Sequence, residues 1–410
     1  MIEAPTPVKP GFRHLFRQIG PALVLATVVL GPGSLTLNTI AGSVYGYRLL
    51  WVPVVATAFM ILYTWMSARI GLVTGETLFQ VTRTKYGIGL ARVGGLSGFL
   101  AVAAFQAGNS AAVGFAAHAL FGLEVRLWAF ILFLPALLLI WLPNLYRKLE
   151  LLVKLIVGLM IVAFVGTLVL VGIDADAAVA GLIPSLPDLD AIFLTLGMTA
   201  TTFSIAAAVY QGYLMKEKAW GPEHLRVEGL DTFAGIGILG SISIMILLTS
   251  AGAIYGVTDP VFSAQGMAAQ LEPLAGPAAF YLFTWGFFFA SFSSLVVNPL
   301  IGAALLTDGF GRDSSMEGRP VRVWASVGLT VGLIVVLIFK GSPVELLRIA
   351  QAIAVVAFPV LGMLVLTISR DPGIMGSHAH KGWVHGIGIL GYLAIIGIVL
   401  TYVGQITGLV

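Results

Sequence analysis

Cysteine is absent from all 410 residues of the chain, which removes disulfides, thiolate metal ligands and thiol redox chemistry together. Charge is almost as scarce. Only 10% of the residues are Asp, Glu, Lys or Arg, against about 25% in an ordinary soluble domain. The 19 acidic residues fall in connections or at the ends of apolar segments. A pump or cation carrier usually keeps a charged residue at bilayer depth, so neutral groups are expected to handle whatever crosses here. Paired carboxylates, His-Glu-x-x-His, Gly-x-Ser-x-Gly and a phosphate-binding loop are missing too, which leaves an enzyme without machinery and calls for no cofactor. The net charge of +3 comes from basic loop residues and offers a nucleic acid nothing.

What fills the chain is apolar surface. Hydrophobic residues make up 58% and the mean hydropathy is +0.99, the composition of an all-α integral membrane protein. Residues 1–18 are polar and basic, without the apolar core of a signal peptide, so the first apolar segment is expected to remain in the mature protein. Eleven spans are predicted: 19–44, 47–70, 88–121, 125–145, 150–173, 190–215, 230–256, 275–307, 321–340, 344–369 and 384–408. With the N-terminus inside, 18 of the 22 Lys and Arg residues lie on the inner side, leaving Arg48, Arg126, Lys340 and Arg348 outside. This bias puts the N-terminus in and the C-terminus out, as an odd helix count requires. The compactness suits a bacterial cytoplasmic (inner) membrane.

The chain reads as a single transport domain over 1–410. Eleven helices divide into five (19–173), five (190–369) and one more (384–408), and an odd repeat places the two halves in inverted orientation. The connections 174–189 and 257–274 read as solvated surface. Within the first span, Gly31-Pro32-Gly33-Ser34 interrupts the helix, because Pro32 removes a backbone donor and its flanking glycines ease departure from helical geometry. Unwound backbone in lipid is tolerated only where protein or a water-filled cavity satisfies it, so the break points to a binding site. The sixth span holds neither Pro nor Gly between Gly197 and Gly212; a break there rests on pseudo-symmetry alone.

Residues 20–80 also carry a resemblance. GPALV at 20–24, the broken GPGS at 31–34, AGSVYGYRLLWV at 41–52 and SARIGLVTGETLFQ at 67–80 resemble the first two helices of the Nramp (natural resistance-associated macrophage protein) family of divalent-metal transporters. Asp231-Thr232, read as loop residues opening the seventh span, and the spacing from Gln351 to Pro359 fit the same family. The resemblance implies a LeuT-like fold of two inverted five-helix repeats, broken first and sixth helices, and alternating access. Its chemistry does not carry over. Gly31 and Ser34 occupy the positions of the family's Asp and Asn ligands; Ser204, Ile205 and Ala206 stand where a Met-Pro-His is usual. Gln211 replaces a second His, and Asn109 and Ala112 replace acidic residues of the third helix. Only Gln351 keeps the type of the family's polar ligand. Magnesium carriers related to the family also lack the sulfur ligand.

The candidate substrate site is therefore Gly31, Pro32, Gly33, Ser34, Ser204 and Gln351, with Asn38, Asn109, Tyr210 and Gln211 as further cavity-lining candidates and no metal ligand set. Transition metals favour imidazole or thioether donors that are missing, whereas magnesium accepts hydroxyl, amide and carbonyl oxygens. A weakly held, hydrated divalent cation such as Mg2+, moved without the usual proton route, is the expected substrate. A small anion such as bicarbonate or a carboxylate, a neutral polar solute, and a non-transporting sensor are the alternatives. Other polar residues have plainer expectations: Gln106 and Asn109 as partners on one helical face, Asn298-Pro299 as a hinge or a re-satisfied kink, His118 as a packed core residue, and His378, His380 and His385 as a weak metal motif.

Overall fold

The computed structural model describes residues 31–256 and 263–407; the proposed 19–30 half of the first span lies outside them. The described spans are α1 (Pro32–Tyr45), α2 (Trp51–Thr74), α3 (Leu78–Tyr86), α4 (Ile88–Phe121), α5 (Val125–Trp141), α6 (Pro143–Val171), α7 (Leu189–Thr202), α8 (Ile205–Glu217), α9 (Leu225–Ile254), α10 (Ala279–Gly309), α11 (Arg319–Ile338), α12 (Pro343–Ile353), α13 (Phe358–Arg370) and α14 (Gly382–Thr407). Among the described residues, eight stretches are long and apolar enough to cross a membrane, and two shorter apolar helices cover Val125–Trp141 and Val157–Val171. Together with α1 they account for the eleven expected spans.

Two of those spans are broken. α7 ends at Thr202, Phe203 (φ −106°, ψ 73°) and Ser204 (φ −75°, ψ 99°) leave helical geometry, and α8 resumes at Ile205. Pseudo-symmetry was right where local composition was silent. The tenth span is likewise split, by a 3-10 segment at Ala354–Ala357 between α12 and α13, just before Pro359 in the first turn of α13.

Local chemistry explains other ends. Gly75 takes a left-handed φ of 67° to close α2, and Thr77 caps α3 through a reciprocal bond with Gln80. Pro299 sits inside α10. Its ring supplies no N–H to the carbonyl of Leu295 one turn earlier, and Gln106 Nε2 on α4 donates to that oxygen at 2.9 Å. The kink is re-satisfied across a helix interface.

Several expectations need correction. Asp231 and Thr232 are not loop residues: α9 begins at Leu225, five residues before the expected start, and buries Glu228, Asp231 and Thr232 completely. The 257–274 connection is not merely solvated. A short helix, Ala264–Ala269, leads to fully buried Gln270 and Leu271, and Gln270 Nε2 donates to Thr39 Oγ1 of α1 at 2.8 Å. His118 is exposed at the end of α4, where its ring contacts the carbonyl of Leu123. The histidines after α13 form no metal cluster; among the described residues no group of three His, Cys, Asp or Glu does. His380 instead packs edge-on against Trp65 with ring centroids 4.6 Å apart, and Arg69 Nε donates to the carbonyl of His378 at 2.9 Å.

Candidate functional site

α1 starts inside the molecule. Gly31 is its N-cap in extended geometry (φ −101°, ψ −174°), it offers no capping side chain, and Pro32 is the first helical residue. The N-terminal amides of such a helix lack intrahelical partners. The ends of α7 and α8 at Thr202–Ile205 face the same region. Between them lies a cavity of about 30 Å³ lined by Gly31, Pro32, Gly33, Ser34, Asn109, Ser204 and Gln351, with Thr201 and Asn298 adding polar wall and Val102, Phe105 and Ile301 apolar wall. That volume holds roughly two waters.

All six residues of the primary candidate set therefore converge, joined by Asn109. Ser34 Oγ and Gln351 Oε1 are buried without a hydrogen-bond partner among the described residues. An unpaired buried acceptor costs about 1–3 kcal/mol, and two of them face this one cavity. Gln351 is held close to α1 by the absence of a side chain at Gly33: a Cβ there would lie 2.7 Å from the Gln351 carboxamide carbon and 2.5 Å from Thr201 Cγ2.

Asn38, Tyr210 and Gln211 do not line this cavity. Asn38 Nδ2 donates to the carbonyl of Ser34 at 2.8 Å, steadying the first turn of α1 from behind. Tyr210 stacks on Tyr213 at 5.5 Å, and it and Gln211 are buried farther along α8. Six and seven residues past Ser204, both lie beyond the cavity wall. Two wall residues escaped sequence reasoning. Asn298 draws notice in the sequence only for its proline neighbour, and Thr201 carries no signal there; its hydroxyl donates to the Met198 carbonyl at 3.0 Å. Asn109 adds a link outward: its Nδ2 donates to Gln106 Oε1 at 2.8 Å, and Gln106 is the residue that serves the Pro299 kink. Cavity wall and helix kink share one chain of hydrogen bonds.

Toward the basic ends of the helices a second polar knot closes the molecule. Asp308, 1% exposed on α10, accepts from Thr77 Oγ1 at 2.5 Å and from Tyr213 OH at 2.6 Å, and pairs with Arg83 Nη1 at 3.1 Å. Arg83 also donates to the Asp308 carbonyl. One carboxylate thus ties the start of α3, α8 and α10 together. The sequence placed Asp308 at a segment end without hinting at its burial.

Below the α7–α8 break, Phe203 inserts into an aromatic group with Tyr63 (5.0 Å) and Phe358 (5.1 Å), so the unwound residues rest on a rigid floor.

Comparison with known proteins agrees with this architecture. A family model described as natural resistance-associated macrophage protein-like matches residues 22–405. A divalent metal cation transporter MntH of Acidiphilium cryptum is 26% identical, over 98% of this chain and 93% of its own length; that of Chromohalobacter salexigens is 28% identical over 90% and 86%. Among solved structures, the Eremococcus coleocola manganese transporter in complex with an aromatic bis-isothiourea substituted compound superposes with a TM-score of 0.80 at 18% identity, covering 98% of this chain and 89% of that one. MhsT in complex with L-phenylalanine gives 0.64 at 14% identity over 93% and 98%. The broken helices, the cavity between them and the match along nearly the whole chain make this protein a member of the natural resistance-associated macrophage protein family.

Proposed function

We propose that the chain is a secondary transporter that carries a weakly coordinated divalent cation such as Mg2+ by alternating access, without the family's usual proton-coupled handling of manganese or iron. The observation that carries this reading is the donor set of the cavity: Ser34 Oγ and Gln351 Oε1 are unpartnered, and the other polar wall groups are hydroxyls and amides. Hard oxygen donors suit magnesium, while the imidazole and thioether donors preferred by later transition metals are missing from the wall. At about 30 Å³ the cavity accommodates an ion with one or two waters, so the remaining shell would come from the protein and be restored on opening. The relatives named above as divalent metal cation transporters support a cation, and the absence of an acidic or imidazole group from the wall supports uncoupled transport. In this proposal the two five-helix halves are inverted repeats, the membrane is a bacterial inner membrane, and the Lys- and Arg-rich side is cytoplasmic.

One observation favours a second reading. The N-termini of α1 and α8 both point partial positive charge at a cavity free of carboxylates, an arrangement that suits a small anion such as bicarbonate. The C-terminal carbonyls of α7 at the same place offset it, which is why the cation reading stands first.

Proteoliposome uptake separates the two. Saturable magnesium entry without acidification of the lumen is expected, with flux abolished in Ser34→Leu at normal expression. Proton movement locked to magnesium would overturn the uncoupled mechanism, and bicarbonate entry with no magnesium entry would overturn the cation.

A further inference from the structure

Away from the transport cavity, α2, α9 and α14 enclose a groove of about 360 Å³ with Ile61, Leu62, Trp65, Gly229, Phe233 and Ile387 among its walls. It is more than ten times the volume of the transport cavity and opens on the lipid-facing side, where Phe233 is 67% exposed. The groove has a sequence logic. On α2, Ala58, Ile61, Leu62 and Trp65 follow helical spacing along one stripe, and Arg69 continues it one turn on. On α9, which runs the opposite way, Gly229 and Phe233 form the stripe and exposed Arg226 precedes it at the same spacing. Ile387 on α14 is preceded by exposed Lys381. Arg69 on α2, Arg226 on α9 and Lys381 just before α14 thus place cations at the same end of the groove, the side rich in Lys and Arg. The guanidinium of Arg69 lies over Trp65, 5.4 Å from the ring centroid, which fixes charge directly at the mouth of the groove.

Of the neighbouring acids, Glu228 and Asp231 are fully buried in α9; Glu228 accepts a hydrogen bond from Thr232 and offsets part of the charge of Arg69, so exposed Arg226 and Lys381 carry the surplus positive charge.

We infer that this groove binds one anionic phospholipid of the basic-side leaflet, an acyl chain lying between α2 and α9 and its phosphate held by Arg69, Arg226 and Lys381. Basic pockets between membrane helices recognise anionic headgroups in this way, and each surface cation contributes about one kcal/mol to the attraction. Gly229 is what keeps the chain-binding slot open. A Cβ there would meet only the Trp65 ring, at 3.6 Å from Nε1 and 3.9 Å from Cδ1, so a larger side chain extends into the groove.

The test uses the full-length protein, purified in detergent and stripped of lipid, then offered phosphatidylglycerol or phosphatidylcholine of identical chains and examined by native mass spectrometry. The wild type is expected to retain one phosphatidylglycerol in preference to phosphatidylcholine. Arg226→Gln and Lys381→Gln should each reduce that preference about fivefold, and Gly229→Leu should lose the bound lipid of either kind. Equal retention of the two lipids by the wild type would overturn the headgroup assignment. Undiminished retention in Gly229→Leu would overturn the groove itself. Arg226 and Lys381 are exposed, so their variants test the proposal even where Gly229→Leu fails to fold.

Discussion

Gly33 shows how much of the cavity depends on a missing atom. In an ordinary helix Gly→Ala gains up to about 1 kcal/mol, yet here the added carbon would come within 2.5 Å of Thr201 and 2.7 Å of Gln351. Overpacking costs about 1–3 kcal/mol, and the displaced group would be the carboxamide with the unpartnered oxygen. Gly33→Ala is therefore expected to express and fold but to lose most transport, read as initial uptake rate per mole of reconstituted protein; wild-type uptake would mean that Gln351 does not need to lie against α1. The glycine and the proline of this site were legible in the sequence because backbone rules act locally. Thr201 and Asn298 were not, since their role comes from which helices pack together.

The kinked α10 gives a prediction that separates a structural hydrogen bond from a general packing effect. Gln106→Leu leaves the Leu295 carbonyl buried and unserved, which should destabilise by about 1–3 kcal/mol. Pro299→Ala restores the missing N–H within α10, so the double variant Gln106→Leu/Pro299→Ala should recover much of the lost thermal stability. A double variant as unstable as Gln106→Leu would show that Gln106 acts by packing alone. The connection between α13 and α14 carries a pH signal. Burial, with Arg69 and His385 adding to it, pushes His380 down from 6.5 to about 4. The unfolded chain takes up this proton near pH 6.5 while the folded one stays neutral until about pH 4, so stability is full above pH 6.5 and declines as the pH falls toward 4. Melting temperatures measured across that window should fall less in His380→Gln than in the wild type; parallel curves would place the pH dependence elsewhere. Most elements could be read from apolar runs between charges. The early start of α9 could not, because Glu228 and Asp231 look like loop residues until tertiary contacts bury them, whereas the 3-10 segment of the tenth span sits just before Pro359, a break signal in plain view.

For the molecule as a whole, the knot at Asp308 joins the start of α3, α8 and α10 on the basic side. Losing one partner of a buried ion pair costs about 3–5 kcal/mol, so Asp308→Asn should favour states open on that side. The chain has no cysteine, so a single Ser204→Cys placed in the cavity wall reports access directly: labelling from the basic side should be faster in the Asp308→Asn background, and an unchanged rate would mean that closure is held elsewhere. Charge distribution marks the basic ends of the helices but not this tie, which needs Thr77, Arg83, Tyr213 and Asp308 from distant parts of the sequence. The opposite end of α1 carries a different implication. Gly42 brings α1 so near α9 that a Cβ would lie 2.5 Å from the Leu247 carbonyl, Ser250 Oγ donates to the Thr39 carbonyl at 2.7 Å, and Gln270 grips the Thr39 hydroxyl. A half-helix fastened this way has no freedom to swing by itself. Whatever uncovers the cavity from that direction must carry α1 and α9 as one plate, with the slippage taken up at the seams against α4 and α12.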